Sequence, residues 1–189
     1  MGVQQCSVSQ ELNQFFDSAY LFCQKYFDKE VSTVENRRFS EQTPESFLRQ
    51  YVFVVLNSGM KNAVAERIFE RFMANLDLNV IRHLGKKKAI ETALSNYQAW
   101  FKEITKVDNK LAYLGLLPWI GSVTKYHLAR NLGLDFAKPD RHLIRLAEKY
   151  SYGSDVLRMC RDLAELKGLR IGTVDVVLWR YLACGCPQI

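Results

Sequence analysis

Apolar residues in this chain recur at intervals of three and four, and no stretch sustains the apolar/polar alternation of a half-buried strand. Leu12, Phe15, Phe16, Ala19, Cys23, Tyr26 and Phe27 make a first stripe, opened by a capping box from Ser7 to Gln10. Residues 30–43 are polar and aperiodic. Thr43-Pro44 then places a proline at a first helical position, before Phe47, Leu48, Tyr51, Val52, Val55 and Leu56. The run from Tyr51 to Leu56 is apolar on every side and predicts a central helix. A break at Asn57-Ser58-Gly59 precedes Val64, Ile68, Phe69, Phe72 and Met73. After Gly85 a further stripe runs through Ile90, Ala93, Leu94, Tyr97, Phe101 and Ile104. The chain is predicted to be all-α, with about nine or ten helices.

The second half continues the pattern with one interruption. Asp108 is placed to cap a helix through Leu111, Leu114 and Leu117, and Gly121 to start the helix that Gly133 ends. Between them, Leu117-Pro118-Trp119-Ile120-Gly121-Ser122-Val123-Thr124 forms a tight hairpin. The first amides of a helix lack intrahelical partners and its dipole favours an anion there, so such a hairpin can grip a phosphate. The bulk of Trp119 predicts a negative φ in the turn. Asp140, sixteen residues after Thr124, heads a further helix with Leu143, Leu146, Ala147 and Tyr150. Val156, Leu157, Cys160, Leu163 and Ala164 make the next, and a last helix follows Thr173.

At 189 residues and 48% hydrophobic content, the chain can bury a substantial core as one domain or two small interlocked ones. Lys plus Arg outnumber Asp plus Glu by 26 to 20, a balance that suits a polyanionic partner. No apolar run approaches the roughly 18 residues of a membrane span. A soluble intracellular protein is expected, cytoplasmic and on the nucleoid if the source is prokaryotic. The five cysteines, Cys6, Cys23, Cys160, Cys184 and Cys186, are odd in number and show no pairing pattern, which predicts reduced thiols. Cys184-Gly185-Cys186 reads as a helix end with two incidental thiols rather than a metal pair.

The hairpin and the Asp140-Arg141-His142-Leu143-Ile144-Arg145 segment together resemble the helix-hairpin-helix DNA glycosylases, the superfamily of endonuclease III and the alkylpurine glycosylases. That superfamily pairs an LPGVG-x-x-TA hairpin with a D-x-H-x-x-R segment; here Trp119 stands where the first glycine is usual. The resemblance is carried by residues 45–150. It implies two interlocked helical domains with a DNA-binding cleft between them: a six-helix barrel over 40–134, and a second domain from 1–39 and 135–189. It makes Asp140 the catalytic carboxylate, which stabilises the oxocarbenium-like state and orients water. An ordinary helix N-cap is the competing reading of the same residue. His142 and Arg145 are expected to support local packing.

The resemblance further makes Pro118, Trp119, Ile120, Gly121, Ser122, Val123, Thr124 and Lys125 the DNA-binding hairpin, with amides around Gly121 and Val123 on a phosphate. A potassium or sodium ion on the carbonyls of Gly115, Leu117 and Ile120 is implied too. No cofactor is otherwise required, and no iron–sulfur cluster is expected, because Cys160, Cys184 and Cys186 fall short of four ligands. Strand-cutting relatives carry a lysine at the position of Val123, which attacks the sugar to give a Schiff base. Lys125 lies about 200° round the helix from that point. His127 shares the face of Val123, and either lines the base pocket or serves as an ordinary core or surface histidine. In the loop Ser58-Gly59-Met60-Lys61-Asn62, Met60 or Lys61 either fills the vacated stack or makes a plain turn. Lys86-Lys87-Lys88 reads as a solvated helix start.

The function expected from the sequence is that of a monofunctional DNA glycosylase. It flips a damaged base, in the first instance an alkylated purine, out of double-stranded DNA and leaves an abasic site. The alternatives are a bifunctional glycosylase and AP lyase, and a helix-hairpin-helix protein that binds DNA without catalysis. A monomer is expected.

Overall fold

The computed structural model describes residues 8–185. Ser7, Cys6 and Cys186, which entered the capping and cysteine arguments, lie outside the described residues. The all-α expectation holds: ten α-helices and two short 3-10 turns account for the regular structure of the described residues. The helices are α1 (Gln10–Tyr26), α2 (Asp28–Asn36), α3 (Pro44–Asn57), α4 (Asn62–Asn75), α5 (Leu84–Lys106), α6 (Lys110–Leu114), α7 (Thr124–Asn131), α8 (Arg141–Lys149), α9 (Val156–Lys167) and α10 (Ile171–Ala183).

The chain divides into two compact units. One runs from Arg38 to Leu132; the other joins Met1–Arg37 to Gly133–Ile189. In the Arg38–Leu132 unit, α3 is the centre, with Tyr51, Val52, Val54 and Val55 fully buried and α4, α5 and α7 packed around it. Phe101 and Trp100 of α5 pack against Phe47 and Tyr51 at centroid separations of 5.9 and 5.5 Å. The capping box that starts α3 uses Thr43 and Ser46 ahead of the proline at its first turn.

In the discontinuous unit α10 takes the central place. Every residue from Gly172 to Leu178 is buried, and α1, α2, α8 and α9 pack against it. Each fully buried Val or Leu there contributes roughly 1.5–3 kcal/mol. Arg170, ahead of α10, donates to the carbonyls of Val34 (3.0 Å) and Gly133 (2.8 Å) and to that of Arg37. It thereby fastens the segments at which the chain leaves this unit and re-enters it.

The structure corrects three helix starts. Ser9 caps α1, accepting from the Leu12 amide at 3.2 Å. Asn109 rather than Asp108 caps α6, accepting from the Ala112 amide at 2.9 Å. The helix after the hairpin begins at Thr124 rather than Gly121, because residues 121–123 are spent on the turn.

Candidate functional site

The hairpin is built around a turn from Leu117 to Ile120, closed by the Ile120 amide donating to Leu117 O at 3.0 Å. Pro118 takes its second place, where a fixed negative φ is needed. Trp119 takes the third with φ of 64°, the pattern of a type II turn. The expected negative φ at Trp119 is therefore overturned. The turn type demands the left-handed region at that place, and the side chain is accommodated by partners far off in sequence. Its indole Nε1–H donates to Ser58 Oγ at 2.8 Å, and its ring lies at a 72° edge to His83, centroids 5.0 Å apart. A Cβ at Gly85 would meet the indole ring at 2.4 Å, so only glycine there leaves the ring its place. The buried Tyr51 hydroxyl donates to Pro118 O at 2.6 Å and pins the turn from beneath. Burial holds the Tyr51 phenol well above its ordinary value of 10.0.

Past the turn, the Gly121 amide donates to Thr124 Oγ1 at 2.7 Å, and the Lys125 amide to Gly121 O at 3.1 Å. The Thr124 hydroxyl is thus the acceptor of the Gly121 amide. The amides of Ser122, Val123 and Thr124 have no acceptor among the described residues. They sit at the positive end of the α7 dipole, in residues that are exposed (Ser122, Val123) or half-buried (Thr124). Lys125 runs along Gly115, its Cδ within 3.4 Å of a Cβ placed there, and its ammonium lies 5.3 Å from the Tyr126 ring centroid. His127 is buried, at an 81° edge to Phe53 with centroids 6.1 Å apart.

The loop after α3 is fixed from two sides. Lys86 Nζ donates to the carbonyls of Leu56 (2.7 Å) and Ser58 (2.6 Å), and Ser58 Oγ receives the indole. The first lysine of the 86–88 run is therefore buried rather than solvated. It closes the carbonyl end of α3, and desolvation lowers its pKa. Gly59 supplies the positive φ of the bend, Lys61 is exposed at the head of α4, and Met60 is half-buried.

Asp140 belongs to the discontinuous unit. It is the N-cap of α8, its Oδ1 accepting the amides of His142 (2.9 Å) and Leu143 (3.1 Å). Oδ2 is not committed to the cap. The strap in front of it is set by a residue that no local motif marked: Asp175 of α10, 1% exposed, accepts the Lys138 amide at 3.0 Å. The Asp140 amide in turn donates to Lys138 O at 2.8 Å. Buried Cys160 lies close enough to feel both acids; burial first, then Asp175, then Asp140, push its thiol well above the ordinary value. His142 is half-buried and Arg145 exposed. Sequence reasoning missed Asp175 altogether, and it read Ser58 only as part of a loop and Lys86 only as a solvated helix start. The signal for Asp175 was an acid inside the apolar run Val174–Leu178, a placement that a buried partner must compensate.

At the level of sequence, no family model and no curated relative matches the chain. Two solved structures match it in three dimensions. The 8-oxoguanine DNA glycosylase of Thermotoga maritima superposes with a TM-score of 0.70 at 19% identity, over 93% of this chain and 97% of its own. The 8-oxoguanine DNA glycosylase of Methanocaldococcus jannaschii gives a TM-score of 0.70 at 18% identity, over 93% and 96%. The chain has the fold of these glycosylases. The all-α fold expected from the sequence is thus the one found, and it spans nearly the full length of both neighbours. No helix of the described residues is long and apolar enough to cross a membrane.

Proposed function

We propose that the chain is a DNA glycosylase that hydrolyses the N-glycosidic bond of a modified base in duplex DNA, with water as nucleophile. The observation that carries this reading is the hairpin. In the fold of two glycosylases it holds the amides of Ser122, Val123 and Thr124 without acceptors at the head of α7. A DNA phosphate supplies the acceptors those amides lack. Pro118, Trp119 and Ile120 shape the turn, and Lys125 adds charge beside it. Asp140 provides the carboxylate: its Oδ1 is tied to the cap, which orients the side chain, and Oδ2 is left to hold water and face the developing sugar cation.

The reaction proceeds without a covalent enzyme intermediate. Val123 has no amine, and Lys125 is laid along Gly115 and Tyr126. The carbonyls of Gly115 and Ile120 accept no hydrogen bond among the described residues, and Leu117 O has a second lone pair, a donor set that suits potassium or sodium. Such an ion would brace the turn and add positive charge near the phosphate.

The base is a modified purine. An alkylated purine, already a good leaving group, needs only one acid; the structural neighbours are named for 8-oxoguanine, an oxidised one. Duplexes carrying an alkylated purine, 8-oxoguanine or uracil, incubated with the protein and then treated with hot alkali, test the proposal. Breaks that need alkali on a purine lesion are expected. Breaks without alkali, with borohydride trapping, would mean a lyase; no breaks on any lesion would leave a DNA-binding protein only.

A further inference from the structure

A cleft of about 430 Å³ opens in the Arg38–Leu132 unit, between α4, the 3-10 turn at Leu78–Val80 and the start of α5. Leu56, Val64, Ile68, Val80 and Ile81 make its walls apolar. Three arginines stand around it: Arg67 and Arg71 from α4, and Arg82 from the link into α5. Positions 67 and 71 are one helical turn apart on the same face, so their like charges repel. None of the three has a carboxylate partner among the described residues. The acids next to them in sequence do not relieve this: neither Glu66 nor Glu70 lines the cleft, and the Glu66 carboxylate accepts from Asn62 at 2.6 Å. Lys86 also lines it, but its ammonium is spent on the Leu56 and Ser58 carbonyls.

Three uncompensated guanidinium groups around an apolar floor call for an anion with an apolar body. A guanidinium fork matches phosphate oxygens in pairs. The volume falls in the range of small-molecule sites. Met60, also in the lining, has an unbranched thioether that adapts to a flat ring. We infer that this cleft is a nucleotide-binding site, the arginines taking the phosphate and the aliphatic walls taking a face of the heterocyclic base. The nucleotide is either free in solution or an unpaired nucleotide of bound DNA. The site does not depend on the excision chemistry: Asp140 lies in the other unit, and the hairpin reaches the cleft through His83, whose ring packs on Trp119, and through Ser58, which takes the indole N–H and the Lys86 ammonium.

Calorimetric titration of the full chain with deoxyguanosine monophosphate, deoxyguanosine and inorganic phosphate reads the site directly. The monophosphate is expected to bind at least about tenfold more tightly than either fragment, as arginine and wall contacts add. Arg67→Gln/Arg71→Gln, and separately Arg82→Gln, should remove that advantage while thermal unfolding stays unchanged, since all three side chains are exposed. In parallel, binding is compared between a duplex with one unpaired nucleotide and the same duplex fully paired. A preference of the wild type for the unpaired form, lost in the variants, assigns the nucleotide to DNA. Variant-sensitive monophosphate binding with no duplex preference assigns it to solution. Monophosphate binding no tighter than phosphate, without an arginine-dependent duplex preference, overturns the proposal, as does any binding that the substitutions leave intact. Excision on lesion duplexes is read in a separate assay, so its outcome does not bear on the site.

Discussion

Trp119 shows how a single residue can sit against its own backbone preference and still be stable. The left-handed region costs a residue with a Cβ roughly 1–2 kcal/mol relative to glycine. Against that stand the indole hydrogen bond to Ser58, worth about 1 kcal/mol, and the packing of the ring over Gly85. With 42% of the residue exposed, that packing is only partial, so gain and cost nearly balance. Trp119→Gly should therefore change stability in urea by no more than about 1 kcal/mol, relief of strain offsetting the lost ring. Trp119→Val keeps the strain, worsens it by β-branching, and loses both the bond and the ring; a loss of about 2–3 kcal/mol is expected. Equal stabilities for the two variants would remove backbone strain from this account. Tyr51, beneath the same turn, has a pH signature. Its folded pKa is raised, so the phenol's contribution is complete below the unfolded value of 10.0 and is lost as pH rises above it. Denaturation midpoints of the wild type should fall more steeply than those of Tyr51→Phe above pH 10.0, and parallel curves would contradict the assignment.

At the scale of elements, helices were legible in the sequence because the stripe that defines each one lies within it. Leu12, Phe16, Ala19 and Cys23 form the buried face of α1, as their spacing required. Ends were less legible where neighbouring residues compete: Asp108 and Asn109 both make good caps, and the structure uses the second. What depends on distant partners was not legible. The conformation of Trp119 rests on Ser58, 61 residues away, and the burial of Lys86 on α3 carbonyls up to 30 away. Asp140 is where the two kinds of information meet. Local pattern gives a cap, which the structure shows; only the family resemblance adds a chemical role. Substitution separates the two. Asp140→Asn keeps an oxygen for the His142 and Leu143 amides, so α8 and overall stability should survive. Excision should fall by roughly 3–4 kcal/mol of transition-state stabilisation, about 10²–10³-fold. Asp140→Ala should lose excision to a similar extent and in addition about 1 kcal/mol of stability from the missing cap. Single-turnover excision with parallel thermal melts reads both; near-native excision by Asp140→Asn would reduce the residue to its cap.

For the whole molecule, the decisive property is that one unit is continuous in the chain and the other is not. Arg38–Leu132 carries its own buried centre in α3, and its named packing partners, α4, α5 and α7, all lie within it. In the other unit α10, buried from Gly172 to Leu178, packs against α1 and α2 from the first 37 residues as well as α8 and α9. Arg170 adds to this dependence, because its guanidinium bonds the Val34 and Arg37 carbonyls on one side and Gly133 on the other. Without residues 1–37, α10 would lose the packing of α1 and α2, including the Cys23 thiol that donates to Val177 O, and Arg170 would be short of acceptors. Each of those losses costs about 1–3 kcal/mol, which together exceeds what so short a helical remainder can spare. A fragment of residues 38–132 should accordingly unfold cooperatively in urea, followed by circular dichroism. A fragment of residues 133–189 should show no cooperative transition until a peptide of residues 1–37 is added. A cooperative transition in the 133–189 fragment alone would mean that the N-terminal helices decorate this unit rather than complete it.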